Sequence, residues 1–414
     1  MNEAKQKFRL TSLERAWILY DVGNSAFVLL VATLIPIFFN ALAEGGGLSS
    51  VEYLAYWGYA ASAVTVITAV LSPILGTLAD TRNFKKPIFT FCVAVGVIGC
   101  CAMGMASTWL PFLLIFIFAK VGFSGSLVFY DSMLSDVTVP DRMDEVSSKG
   151  YAWGYIGSCV PFVVCLALVL GAGSIGISQM TALNLALFIT AAWWLVTTLP
   201  LLRQYKQVHF VEVQEHAIRQ SFARIGHTLR HLKEDRQVFW FLLAFFCYID
   251  GVYTIIDMAT AYGTALGLDT TGLLLALLVT QIVAFPSALV FGRLSGQYPS
   301  GTLIPVCIAA YAGIALFAFF LKYQWQFWVL AVVVGMFQGG IQALSRSHFA
   351  KIIPPEKSGE YFGLFDICGK GASFLGTMIV SVGSQLTGSA NVGVGSLIVL
   401  FIVGFVLFRV SDQK

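Results

Sequence analysis

Twelve times along the chain an apolar stretch of about 20 residues recurs, the length a helix needs to cross roughly 30 Å of hydrocarbon at about 1.5 Å per residue. The stretches lie near 14–40, 53–79, 87–107, 109–134, 150–171, 180–202, 238–263, 271–292, 302–321, 326–346, 361–386 and 391–409. In lipid each spanning segment must satisfy its own backbone polar groups, so the expected fold is all-α, a polytopic bundle of twelve transmembrane helices. Composition agrees: 11% of the residues are charged, against roughly 25% in a soluble domain.

Basic residues set the expected orientation. With both termini cytoplasmic, the inside segments hold 22 of the 25 Lys and Arg, only Lys322 falls outside, and Lys120 and Lys370 lie within spans. Cytoplasmic loops gather Lys and Arg, and a miscounted helix would scramble this split. The opening MNEAKQKFRL carries acids as well as bases, and the apolar stretch behind it is too long for a signal core. The first helix is therefore expected to stay. All eight cysteines fall inside predicted spans without disulfide or zinc spacing, and read as packing residues. No Asn-x-Ser/Thr sequon occurs, which favours a bacterial plasma membrane over a glycosylating pathway.

The one long polar segment, 203–237, divides the chain into 1–202 and 238–414, two sets of six helices. It holds seven basic residues and four of the five histidines. Within it Ile218, Phe222, Ile225, Leu229 and Leu232 form one helical stripe, expected to lie along the inner membrane surface. His227 and His231 have the i, i+4 spacing of a zinc pair but lack the glutamate of a protease motif, so a basic solvated role is expected.

The halves resemble one another. SMLSDVTVPDRMDEVSSKGYAWGYIGS (132–158) lies without gaps on SHFAKIIPPEKSGEYFGLFDICGKGAS (347–373) at an offset of 215. Ser132, Pro140, Glu145, Gly154 and Ser158 then meet Ser347, Pro355, Glu360, Gly369 and Ser373, while an offset of 216 brings GTLAD (76–80) onto GRLSG (292–296). Duplicated six-helix halves related by an axis along the membrane normal are the organisation of a major facilitator transporter, whose substrate site lies between the halves near the midplane.

Seven ionisable residues fall inside predicted spans: Asp21, Lys120, Asp131, Asp250, Asp257, Asp366 and Lys370. Each costs roughly 2.5–3.5 kcal/mol at mid-bilayer on insertion scales, so each requires a partner or a function. Asp366 and Lys370 have the i, i+4 order of an intrahelical ion pair. Lys120 and Asp131 share a face but stand about 16 Å apart along the axis, so Lys120 needs a partner from another helix. Asp250 and Asp257, seven apart, share a face two turns from each other. Gln338 and Gln342 are candidate solute contacts, and Gln281 either contacts solute or bridges helices. The pairs Gly150/Gly154 and Gly335/Gly339 permit close helix approach.

In the first span YDVGNSAF (20–27) places Tyr20 and Asn24 on one face, with Asp21 bordering it. Lipid demands that these polar groups find partners or a wet cavity.

Two resemblances follow from these residues. GTLADTRNFKKP (76–87) is similar to the loop signature G-x-L-A-D-R-x-G-R-K of the major facilitators: Gly76, Leu78, Ala79, Asp80, Lys85 and Lys86 match, while Thr81 and Asn83 depart and a basic residue is shifted to Arg82. The resemblance implies a cytoplasmic latch with Gly76, Asp80 and Arg82 as gate residues and Asp136 as the acid facing the arginine. It also implies that helices one, four, seven and ten line the cavity, while three, six, nine and twelve, which carry no charge in their interiors, face lipid. YDVGNSAF, YIDGVYTIIDMATAYG (248–263) and QALSRSHFAKIIPPEKSGEYFGLFD (342–366) resemble the vacuole-effluxer branch, the autophagy-related amino acid exporters and their bacterial relatives.

That resemblance implies a secondary transporter exporting amino acids, coupled to protons, with sodium the other coupling ion to test. No cofactor is implied, and no nucleic acid or obligate protein partner; the partners are a small-molecule substrate and the bilayer. A drug or lysolipid exporter, or a non-transporting receptor or scaffold of the same fold, stays open. An enzyme is not expected, since the chain lacks a Ser/His/Asp set, zinc ligands and a phosphate loop.

Overall fold

The structure, a computed structural model, describes residues 9–212, 230, 232 and 235–412. It is built of helices: α1 (Ser12–Ala32, continued by Leu34–Gly45), α2 (Ser50–Ala79), α3 (Lys85–Met103), α4 (Trp109–Ser132), α5 (Pro140–Leu170), α6 (Gln179–Gln204), α7 (Arg236–Ala265), α8 (Thr270–Leu294), α9 (Ser300–Phe319), α10 (Gln324–Ile352), α11 (Ser358–Thr387) and α12 (Ile398–Asp412, preceded by Ala390–Gly395). Among the described residues eleven helical stretches are long and apolar enough to cross a membrane; α11, of 30 residues, takes the remaining expected position. The stripe expected at 218–232, with His227 and His231, lies outside the described residues apart from Arg230 and Leu232.

Two spans expected to be continuous are broken. The first steps at Thr33 because Pro36 lacks an N–H and its ring excludes the carbonyl four residues earlier; Thr33 Oγ1 bonds back to the Leu29 carbonyl at 2.6 Å. The last parts between Gly395 and Ile398. Two others run on further than expected. Helix α5 begins at Pro140, a first-turn position where a missing N–H has no helical partner to lose, and α10 continues to Ile352. The added turns put Asp144, Ser147 and Lys351 on helices rather than in loops.

Within the first six helices α1 packs between α5 and α6, and α4 against α2 and α3. The second six repeat this pattern, with α7 between α11 and α12 and α10 against α8 and α9. The sets meet through α2 with α11 and α5 with α8, joined by α5 with α10 and α4 with α11. Ser12 Oγ bonds Gln204 Oε1 and Ser411 Oγ bonds the Gln237 carbonyl, which puts the start of α1, the end of α12 and the helix ends that flank the connecting segment on one side, the basic end. Apolar side chains point outward on the peripheral helices, among them Phe91 and Ile98 on α3, Val196 on α6, Leu316 on α9 and Val406 on α12. Such a surface suits hydrocarbon and leaves the polar groups to the interior.

Candidate transport cavity

Between the two sets lies a cavity of about 960 Å³. Asp21, Asp131, Arg346 and Asp366 line its deep, basic-end wall, Lys120 and Asp257 face it further out, and it continues past Ala61 and Tyr262 toward the opposite end. The ties between halves cluster at the basic end, so the cavity is closed there and runs away from the termini.

Arg346 forms the floor. It comes from α10, is 2% exposed, and reaches across to three helices of the first half. Its Nη1 lies 3.1 Å from Asp131 Oδ1 and 3.6 Å from Asp21 Oδ2. Nε donates to Ser147 Oγ at 2.9 Å and Nη2 to the Ser147 carbonyl at 3.0 Å. The rings of Tyr151 and Trp17 stand 4.2 and 4.7 Å from the guanidinium carbon, which adds cation–π attraction. Gly150 makes room for this arrangement: a Cβ there would sit 3.0 Å from Asp21 Oδ2 and 3.1 Å from Arg346 Nη2. Tyr155 donates to Gln342 Oε1 at 2.8 Å, Ser147 Oγ to the Ala343 carbonyl at 2.8 Å, and Lys351 to Asp144 at 2.6 Å.

A second closure lies beside it. Asp80 accepts from the backbone N–H groups of Gly359 and Glu360, at 2.7 and 2.8 Å, at the start of α11. A carboxylate is favoured there by the free amides and the positive end of the helix dipole. Gly76 packs so closely that a Cβ would sit 2.1 Å from the Gly359 carbonyl oxygen. The cation of this closure is Lys85. Fully buried, it lies 3.8 Å from Asp80 and 3.7 Å from Asp136 and donates to Ser358 Oγ at 2.9 Å.

This corrects the expected Arg82–Asp136 pairing. Asn83 adopts φ 65°, the left-handed turn that asparagine tolerates better than most residues. The turn leaves Arg82 outside, 3.3 Å from Glu212, and starts α3 with Lys85 turned inward. Asp136 also accepts from Tyr205 at 2.5 Å, from the His209 ring at 3.0 Å and from the amides of Val208 and His209. Burial, then Asp136, holds the Tyr205 phenol well above its usual range, so it remains a donor.

The other expected site residues fall into two groups. Asn24, Lys120, Asp257, Gln338, Gln342 and Asp366 line the cavity. Lys120 sits 4.7 Å over the Phe123 ring, and its charge acts on Asp257 across the cavity. Ser72 Oγ donates to Asp366 at 2.6 Å, another tie between halves. Gln338 Oε1 is buried without a hydrogen-bond partner. Tyr20 and Asp250, in contrast, are turned away from the cavity. Tyr20 is buried inside the first bundle with its hydroxyl 2.6 Å from Ser126 Oγ. Asp250 accepts the Gly376 N–H at 2.9 Å and Thr254 Oγ1 at 3.3 Å, one turn below the cavity wall. The side chain of Lys370, and so its expected pairing with Asp366, lies outside the described residues.

Asp250 therefore joins α7 to α11, and its substitution should act on stability. Asp250→Ala is expected to destabilise the protein by about 2 kcal/mol, from a buried amide left unpaired, with retained flux per folded molecule. A thermal melt followed by flux on the surviving fraction checks this; an unchanged melt with lost coupling would return Asp250 to the transport machinery.

Arg346 is the residue the sequence reading missed. At an offset of 215 it is the repeat partner of Asp131, and the two make the floor's ion pair.

Comparison with known proteins agrees with this architecture. The family model described as "Vacuole effluxer Atg22 like" matches residues 12–141 and 135–414. The uncharacterized MFS-type transporter YxiO of Bacillus subtilis is 42% identical over 411 residues, covering 98% of this chain and 96% of that one. Autophagy-related protein 22 of Coccidioides immitis is 25% identical over 315 residues, 65% of this chain and 51% of that longer protein. Among solved structures, the major facilitator transporter FucP in its outward conformation superposes with a TM-score of 0.72 at 17% identity, covering 97% of this chain and 98% of FucP. The chain therefore belongs to the Atg22-like vacuole-effluxer family and has the major facilitator fold.

Proposed function

We propose that this chain is a proton-coupled exporter of amino acids, working by alternating access in the plasma membrane with the basic end and both termini in the cytoplasm. The observation that carries the substrate class is the pair of opposite charges on one cavity: Lys120 from the first half and Asp257 from the second. A zwitterion presents a carboxylate and an ammonium together, and so matches both walls at once. Binding such a solute between the halves favours their closure around it, and the family description as a vacuole effluxer supports the export direction. The division into 1–202, a cytoplasmic linker 203–237 and 238–414 supplies the two moving bodies.

The test is proton movement in proteoliposomes, followed with a trapped pH dye while amino acids are added one at a time. A pH change that saturates with one group of amino acids is expected. Lys120→Met and Asp257→Asn should each raise the half-saturating concentration about tenfold or more, the loss of a charged hydrogen bond. A flat trace with radiolabelled flux of the same amino acids would replace proton coupling by uniport or sodium coupling. Saturable movement of a lysolipid or drug instead would overturn the substrate class, and no flux of any solute would leave a receptor.

A further inference from the structure

At the floor of the cavity two carboxylates share one guanidinium. Arg346 is already fully engaged: Nη1 faces both acids, while Nε and Nη2 are held by Ser147. One guanidinium neutralises one carboxylate. Asp131 is the one in hydrogen-bond contact; Asp21 stands 0.5 Å further off, the difference between 3.6 and 3.1 Å. Asp21 is 6% exposed, and its Oδ2 has no hydrogen-bond partner. The Tyr130 hydroxyl, beside it on α4, is buried and close enough to act on the Asp21 carboxyl without closing a well-formed hydrogen bond.

Among the described residues, the groups that the neighbouring helices bring to Asp21 besides Arg346 carry no positive charge. Helix α4 offers Tyr130 and Asp131, α5 offers Tyr151 and Tyr155, α7 offers Tyr253, and α11 offers a third acid, Asp366. The aromatic faces around Arg346 hold the cation and do nothing for a carboxylate. A buried carboxylate without a counter-charge is strongly disfavoured, and binding a proton removes the charge. The proton also lets the carboxyl donate as well as accept, so it can pair with the Tyr130 hydroxyl in either sense.

We propose that Asp21 is the proton-binding residue of this chain, carrying a proton while the basic end is closed and Arg346 is paired with Asp131. The proton enters from the cavity, which Asp21 lines. Arg346 belongs to the second half and both acids to the first, so parting the halves at the basic end withdraws the guanidinium and exposes Asp21 to water on that side, where the proton leaves. The direction of coupling rests on the exporter reading above; the proton site itself does not.

Infrared difference spectra of the purified full chain in lipid, taken between acid and alkaline pH without any solute, test the site. The wild type is expected to lose a protonated-carboxyl band as pH rises. Asp21→Asn should lack one carboxyl equivalent of that band, Asp21→Glu should retain it at a shifted frequency, and Asp131→Asn, which frees Arg346 for Asp21, should lose it at a lower pH than the wild type. A band undiminished in Asp21→Asn overturns the proposal, as does one lost in Asp131→Asn and retained in Asp21→Asn. Since no solute is present, a negative result here leaves the amino acid reading intact, and absent flux leaves this one intact.

Discussion

Arg346→Gln leaves the basic end open and stops coupled transport. Removing the guanidinium takes away the contacts to Asp131, Asp21 and Ser147 at once and strands an ionised acid in a buried site. Breaking a buried ion pair from one side costs about 3–5 kcal/mol, a shift of roughly 10²–10³-fold or more in an equilibrium between closed and open forms. Parting the halves hydrates the acids and relieves the cost, so at a pH where the acid stays ionised the variant should rest open at the basic end. Amide hydrogen exchange over 143–150 and 343–352 reads this directly, as faster exchange in the variant than in the wild type. Arg346→Lys keeps the charge but not the planar fork that serves Asp131 and Ser147 together, so an intermediate shift is expected. Combining Arg346→Gln with Asp131→Asn removes the stranded partner and should recover part of the closure. Unchanged exchange and unchanged flux in Arg346→Gln would remove this residue from the gate.

Most of the architecture was legible because lipid leaves so few alternatives. Apolar length fixed the spans, and the offset of 215 exposed the duplication before any contact was seen. Side-chain assignments were harder, and the misses have separate causes. Arg346 was read as one of the basic residues at the inner boundary, where most of its kind lie; only the longer course of α10 and the repeat partnership with Asp131 reveal its place. Periodicity put Asp250 and Asp257 on one face, but depth decides their roles. At Asp250 that part of α7 meets Gly376 of α11, whereas the wall opens from Tyr253 onward and Asp257, two turns on, looks into it. Tyr20 shows the reverse limit, since nothing in its spacing says that Ser126 waits for it inside the bundle. Arg82 was displaced by one backbone torsion at Asn83, which periodicity does not encode.

Asp80→Ala should loosen the second closure by a comparable amount, and Gly76→Ala by a different physical route. The aspartate accepts two short backbone hydrogen bonds at the start of α11 while lying near Lys85. Hydrogen bonds to a charged group contribute about 1.5–3 kcal/mol each, and their loss leaves two buried amides unpaired. Gly76→Ala touches no charge, yet its Cβ would meet the Gly359 carbonyl oxygen at 2.1 Å, so α2 and α11 must part. Both variants should raise exchange over 358–362, and both should favour the form open at the basic end. Asp80→Asn keeps one acceptor oxygen and turns an amide toward the remaining N–H, so it should fall near Asp80→Ala rather than near wild type. The electrostatic and steric routes agree only if this contact is a gate that opens in the cycle. Should Asp80→Ala speed exchange with full transport while Gly76→Ala fails to fold, the contact is a structural seam, and the alternating motion must be sought elsewhere. Asp136 then distinguishes further. It binds Lys85 of the latch and Tyr205 and His209 of the segment leading to the second half, so Asp136→Ala should disturb the latch and free that segment together.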